Sequence, residues 1–295
     1  MSIEDHVKTH ISICEFQKLT PFNWDSEAEC VRVTESGWKA KKYVVFSIHV
    51  SLLVGMIYET MINTDSQNNL NGYATIFRIF FILAIVGSTL YYDLIWSDSS
   101  GFSSLLNGVL QNLRGLGTAG QVLKKILTAL KIGQFGTESS ILALILIFPG
   151  TPPFPSSLLT FHGSIQSSAM RVVLMIIQTW DIFCGVSHGF LIMCCLILCN
   201  GAVYMGLQQM KMSRMNQSTE KKYRELQILV SYINSQFQNS IQLAITIFII
   251  GVDITGIATI IKFNQSMPLK YSCMLAIWST QAILVSLEAQ RPKEC

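Results

Sequence analysis

The stretch VVLMIIQTWDIFCGVSHGFLIMCCLILCNGAVYMGL, residues 172–207, decides the fold of this chain because it is apolar over nearly its whole length. As a single helix it would extend about 54 Å, nearly twice the roughly 30 Å of hydrocarbon in a bilayer. Either its first third projects beyond the hydrocarbon, or Gly185 and Gly189 break it into a short piece and a span. We expect the projecting helix, which would place Gln178 and Asp181 near water.

The overall composition agrees with a membrane protein. Half of the residues are hydrophobic and 13% are charged, about half the charge content of an ordinary soluble domain. We therefore predict an all-α fold, a polytopic transmembrane helical bundle of about six spans. The predicted spans lie near residues 43–62, 73–94, 136–154, 172–207, 241–261 and 271–287. They form one transmembrane domain, residues 43–288, between a cytoplasmic N-terminal segment, residues 1–42, and a cytoplasmic tail, residues 289–295.

The third span is the weakest of these predictions. Its apolar core ILALILIF, residues 141–148, is short and runs into PGTPPFP, whose prolines end a helix. Positive charge nevertheless favours a crossing, because a chain with its N-terminus inside and six crossings keeps most of its bases in inner segments. Of the 21 Lys and Arg residues, the exceptions are Arg78, Arg171, Lys262 and Lys270. If the third span failed to cross, the basic loop at residues 211–224 would lie outside.

The segment KKYRELQILVSYINSQF, residues 221–237, predicts an amphipathic cytoplasmic helix. Its apolar side chains recur at spacings of three and four residues, which places them on one face. They are Tyr223, Leu226, Val230, Ile233 and Phe237. Such a helix could pack against a neighbouring subunit and so hold an oligomer together. It could equally lie on anionic lipid or form an inner extension of the fifth span.

Ionisable side chains within membrane spans are costly and mark candidate functional sites. Four of them lie in the outer half of the predicted bundle, where two tryptophans could supply aromatic walls for a small-molecule ligand. The candidate ligand-binding residues are Arg78, Asp181, His188, Asp253, Trp180 and Trp278. Alternatively, Arg78 reaches the outer headgroups and His188 bonds to backbone. Asp253 lies deepest and needs a partner, for which Arg78 is the simplest candidate.

The remaining histidines give weaker signals. His49 has no carboxylate near it in sequence, and we expect a structural role. His6 and His10 are spaced for metal chelation, but no third ligand accompanies them, so a solvated terminus is favoured and no metal or other cofactor is predicted.

The eight cysteines include no C-x-x-C pair. Four of them fall in the long apolar run and are expected to be small packing residues. These are Cys184, Cys194, Cys195 and Cys199.

No enzyme motif survives inspection, and no enzymatic activity is predicted. GVSHG, residues 185–189, matches G-x-S-x-G, but the strand, turn and helix that a nucleophile elbow needs are not indicated. Intramembrane proteases of the rhomboid type place a G-x-S-G serine on the fourth of six spans and a histidine on the sixth. Here His188 follows Ser187, and the sixth span contains no histidine to act as base. Nucleotide-binding and nucleic-acid-binding patterns are absent from the sequence.

The order of spans, the polar inner N-terminus and the basic helix with YRELQIL, residues 223–229, resemble the arthropod gustatory and odorant receptor superfamily. The resemblance covers the chain by topology and rests on that one short motif. It implies a plasma-membrane protein with a cytoplasmic N-terminus, tetrameric assembly as a ligand-gated cation channel, and a pocket open to the outer side.

That superfamily lines its pore with a seventh helix, whereas this sequence ends at EAQRPKEC after the sixth predicted span. A truncated gene model, a splice form or a different family would each account for the difference. Two classes of function stay open. One is a chemoreceptor-like protein that takes a small molecule, and the other is a secondary transporter or another multi-pass protein without receptor activity.

Overall fold

A computed structural model describes residues 2–16, 20–34, 38–63, 72–114, 120–147, 168–212 and 217–237, with residues 257 and 261. These residues are mostly helical, which confirms the all-α class, apart from one two-stranded hairpin. In chain order the elements are α1 (Ile3–Phe16), β1 (Phe22–Asp25), β2 (Cys30–Val33), α2 (Trp38–Asn63), α3 (Gly72–Ser97), α4 (Ser99–Leu113), α5 (Gly120–Ile147), α6 (Ser168–Met212) and α7 (Gln217–Phe237).

Length and hydropathy single out one helical segment, Met175–Lys211, as able to cross a membrane within the described residues. A shorter apolar helix covers Lys42–Tyr58. Helices α2 and α3 contain the first and second predicted spans, while the fifth and sixth lie almost wholly outside the described residues. The structure therefore confirms helices at the first and second predicted spans. Six crossings of the membrane stay a prediction.

The chain divides into two compact units. The first comprises residues 1–44, 90–142 and 182–241, and the second comprises residues 45–89, 143–181 and 242–295. Helices α2, α3, α5 and α6 each contribute residues to both.

The N-terminal segment forms structure that the sequence analysis did not predict. Ser2 and Asp5 cap α1 reciprocally, since each backbone N–H donates to the other side chain at 2.6 and 3.0 Å. The buried face of α1 carries Val7 and Ile11, and α1 packs on β1. One face of the first helix is therefore buried against protein and not exposed to solvent.

The β-hairpin is antiparallel, with Phe22 opposite Val33 and Asp25 opposite Cys30. Its turn is held by the Asp25 carboxylate, which accepts bonds from two backbone N–H groups, and by Glu29 at a φ of 49°. The ring of Phe22 stacks on Phe102 of α4 at 5.4 Å. The hairpin is thereby anchored to a helix of its own unit.

Helix α4 was also missed, although its pattern is amphipathic. Asp98 caps its first turn by accepting from the N–H of Gly101 at 2.9 Å. Its buried apolar side chains fall on one face at helical spacing. They are Phe102, Leu105, Leu106, Val109, Leu110 and Leu113.

One helix begins before its predicted span, and the long apolar run is a single helix, as expected. The helix of the third span begins at Gly120 rather than near residue 136, because the basic stretch before it continues the same helix. Residues 148–154, where the prolines lie, are outside the described residues. The long apolar run forms one helix, so Gly185 and Gly189 do not interrupt α6.

Helix α7 confirms the predicted amphipathic segment. Along its apolar stripe Phe237 is buried and Leu226, Val230 and Ile233 are half-buried, whereas Tyr223 is exposed. The helix packs against α4 of the same chain, and the hydroxyl of Tyr232 donates to the backbone oxygen of Gly101 at 3.0 Å. The stripe is thus covered in part within the chain.

Candidate functional site

The first polar site lies in the second unit, where Nδ1 of His49 on α2 is hydrogen-bonded to Oδ1 of Asp181 on α6. Both side chains are 2% exposed. The expectation that Asp181 stands near water is therefore wrong, because its carboxylate is buried against an imidazole. His49 does have a carboxylate partner, which lies 132 residues away in sequence and left no local signal.

The outer surface of α2 has the opposite character. Val45, His49 and Met56 form its buried stripe, whereas eight other large apolar side chains are exposed to between 38% and 70%. These exposed side chains are Tyr43, Val44, Phe46, Val50, Val54, Ile57, Tyr58 and Met61. In a soluble protein, apolar side chains are usually buried and ionisable side chains exposed. Helix α2 has the reverse arrangement.

His188 lies in the first unit and is buried in α6. Its Nδ1–H donates to the backbone oxygen of Cys184, one turn earlier, at 2.6 Å. Its ring meets the edge of Tyr92 with centroids 5.1 Å apart, and Tyr92 packs on Trp96 at the same distance. The backbone bond is the alternative that the sequence analysis named for this residue.

The remaining predicted site residues are only partly described. Trp180 is half-buried next to Asp181. Asp253, Trp278 and the side chain of Arg78 lie outside the part of the chain that the structure describes, so the Arg78–Asp253 pair stays a prediction.

A second polar site in the first unit joins α1, α5 and α6. Nδ1–H of His10 donates to Oε1 of Gln134 at 2.8 Å, and Nε2 of Gln134 donates to Oε1 of Glu138 at 3.0 Å. The hydroxyl of Ser187 donates to the same Glu138 oxygen at 3.1 Å. This His10 cluster (His10, Gln134, Glu138 and Ser187) ties the N-terminal helix to two longer helices.

The prediction of a solvated N-terminus was wrong for both histidines on α1, which are 3% and 1% exposed at His6 and His10. They lie on the face of α1 that also carries its buried apolar residues. Burial lowers the pKa of His10 to about 4, an effect that its bond to Gln134 opposes. His10 is therefore neutral at physiological pH, and its Nε2 has no hydrogen-bond partner.

The chemistry of Ser187 follows from its position in the middle of a continuous helix. The strand, turn and helix of a nucleophile elbow do not occur around it, since α6 runs through residues 185–189 without a break. Its hydroxyl acts as a donor to a carboxylate, a bond that stabilises packing between α5 and α6.

The cysteines behave as packing residues. Cys184, Cys194, Cys195 and Cys199 are at most 2% exposed, and none of these four forms a disulfide. Among the described residues, no three His, Cys, Asp or Glu side chains are placed to hold a metal ion.

Compared with known proteins, the chain matches no family model, no curated sequence and no solved structure. Its function is therefore inferred from its own side chains.

Proposed function

We propose that this chain is a multi-pass integral membrane protein of chemoreceptor-like function, with its N-terminus in the cytoplasm of the cell whose plasma membrane it spans. The observation that carries the proposal is the reversed polarity of α2. Its exposed face is apolar, and its buried face contains His49 bonded to Asp181.

Free energy favours lipid as the surroundings of such a helix. Each large apolar side chain left in water forgoes about 1.5 to 3 kcal/mol of burial. An ionisable group in a membrane, by contrast, requires a partner inside the protein, and Asp181 and His49 supply one another. On α6, Val172, Val173 and Ile176 are exposed apolar side chains as well.

The same pair supplies the polar part of the proposed ligand site. A small molecule with a hydrogen-bonding group could compete for Asp181 or His49, and the half-buried Trp180 directly precedes Asp181 in sequence. Arg78, Asp253 and Trp278 remain in the proposed site on the sequence prediction, whereas His188 belongs to the other unit and is left out of it.

Assembly through α7 belongs to the same proposal. Part of the helix is covered by α4, but Tyr223 and Ile228 remain 49% and 69% exposed. These side chains are available to a second subunit of a ligand-gated cation channel.

Two measurements on the full chain in intact cells test the proposal in sequence. First, the protein should stay in the membrane pellet at alkaline pH, and protease added outside should not cut near Lys221. Second, cation influx should follow exposure to some members of a panel of small organic acids, amines and sugars.

Asp181→Asn should abolish influx at equal surface expression, with Asp93→Asn as the control. Release at alkaline pH, or external cleavage near Lys221, would overturn the membrane placement, and an unaltered response of Asp181→Asn would remove the ligand site.

A secondary transporter is the second candidate, and the His49–Asp181 pair specifically favours it. Histidine–carboxylate chains within membranes are typical of proton relays in transporters. In proteoliposomes, a transporter would couple solute uptake to an imposed pH gradient without channel currents, and Asp181→Asn would uncouple the two.

A further inference from the structure

A shallow cleft between α1 and α5, largely open to its surroundings, has a volume of about 450 Å³. It is lined by His6, Lys124, Lys125, Thr128, Ala129 and Ile132. All of these residues belong to the first unit, and the cleft shares none of them with the His10 cluster. None of the residues that line the cleft belongs to the proposed ligand site.

Positive charge in the cleft is not neutralised locally. None of the lining residues is acidic, and within the described part of the chain neither Lys124 nor Lys125 has a carboxylate within ion-pair distance. Some other bases do have carboxylate partners, as Lys42 has in Asp93 at 3.6 Å. Two adjacent ammonium groups without a counter-ion favour an anionic ligand.

His6 forms the wall on the α1 side. It is 3% exposed, its Nε2 lies 3.4 Å from the Thr128 hydroxyl, and its buried Nδ1 has no hydrogen-bond partner. Burial lowers the pKa of His6 most, and the charges of Lys131 and the N-terminus lower it further; Asp5 raises it, by more than Lys124 lowers it. The field at the cleft is therefore positive, as a bound anion requires.

The exposed surface of α5 identifies the kind of anion. The two lysines lie near the start of the helix, and Ile132 and Phe135 follow with 68% and 73% exposure. Phe135 lies about 16 Å along the axis from Lys124. It immediately precedes the predicted third span. This order, basic and then apolar, matches the passage from inner headgroups into hydrocarbon.

We propose that the cleft binds the phosphorylated headgroup of an anionic lipid in the cytoplasmic leaflet. The lysine ammonium groups bind the phosphate, while Ile132 and Phe135 lie against the acyl chains. The volume suits a headgroup such as an inositol phosphate. This inference rests on the membrane placement proposed above.

The test uses the full chain reconstituted into nanodiscs of phosphatidylcholine alone, with phosphatidylserine, or with phosphatidylinositol 4-phosphate. Bound lipid is counted by native mass spectrometry. We expect selective retention of the phosphoinositide and a loss of about 10- to 30-fold in its affinity for Lys124→Gln/Lys125→Gln. The matched control is Lys221→Gln/Lys222→Gln, which removes the same charge from exposed positions on α7 and should retain the lipid.

A second comparison separates a lipid from a soluble anion. Phe135→Ser should weaken lipid retention, whereas free inositol 1,4-bisphosphate and inorganic phosphate should bind far more weakly than the lipid to every variant. Equal losses in the two lysine variants would mean a general attraction to anionic surfaces and would overturn the site. Tight binding of the soluble anions would overturn the lipid assignment. Failure to enter nanodiscs at all would contradict the membrane placement, which is a distinguishable result.

Discussion

His49 on α2 and Asp181 on α6 are hydrogen-bonded to each other across 132 residues of sequence, with both side chains buried. The pair joins the first predicted span to the fourth. Since the two side chains are bonded to each other in a buried setting, loss of either removes a bond that the other keeps in the native protein.

Asp181→Asn should destabilise the protein by about 3 kcal/mol, because it removes the carboxylate to which a buried imidazole is bonded. The loss is measured as a lower midpoint of thermal aggregation in detergent. Asp93→Asn is the control, since that carboxylate is 64% exposed and its ion pair with Lys42 contributes little. If His49→Gln and Asp181→Asn have purely additive effects when combined, the two residues are not energetically coupled.

The docking of α1 should weaken in acid. The pKa of His10 is about 4 when α1 is docked, compared with the ordinary value of 6.5 when it is not. The undocked state therefore binds more protons between these two pH values. The contribution is present above pH 6.5 and is lost progressively as the pH falls to about 4, by about 3 kcal/mol in total. His6 and Lys131 also lower the pKa of His10, each by less than burial does.

Labelling of Cys14 reports this undocking. Burial raises the pKa of the Cys14 thiol to about 12, so it reacts only when α1 is released. Its labelling rate relative to the half-buried Cys30 should rise from pH 7 to pH 5. His10→Gln should flatten this pH dependence, and an unchanged profile in that variant would rule out His10 as the responsible group.

Tyr232→Phe should destabilise the contact between α7 and α4 by about 1 kcal/mol, because it removes the hydrogen bond to Gly101 and leaves the ring in place. Amide hydrogen exchange in α7 measures the change. Tyr223→Phe alters an exposed tyrosine of the same helix and should have no comparable effect. Equal effects of the two substitutions would show that α7 is held by something other than α4.

Two glycines should respond in opposite directions. A Cβ added at Gly201 would lie 3.1 Å from a methyl carbon of Leu123. Gly201→Val should therefore overpack the contact between α6 and α5 and destabilise the protein by about 1 to 3 kcal/mol.

Nothing lies within 4 Å of a Cβ built at Gly108. Gly108→Ala should therefore stabilise α4 by about 0.5 to 1 kcal/mol through its helix propensity, measured as a higher thermal midpoint. A destabilised Gly108→Ala variant would contradict the position of α4.

Some elements were predictable because their signal is local. The apolar runs of α2, α3 and α6 and the three-and-four spacing of α7 each indicate a helix within their own residues. Helix α4 carried the same spacing in Phe102, Leu106 and Val109 and could have been found. The hairpin had a weaker sequence signal, since its strands β1 and β2 are only four residues long each. They depend on packing against α4.

The sequence by itself determined a helical chain with too much apolar surface for an ordinary soluble domain, because composition and periodicity are properties of neighbouring residues. Only the tertiary structure decided that His10 is bonded to Gln134 and His49 to Asp181, and that α1 is buried rather than solvated. These partners lie 124 and 132 residues apart. Which polar groups meet depends on how whole helices pack, and hydrophobic spacing specifies the buried face of a helix without naming the residue opposite it.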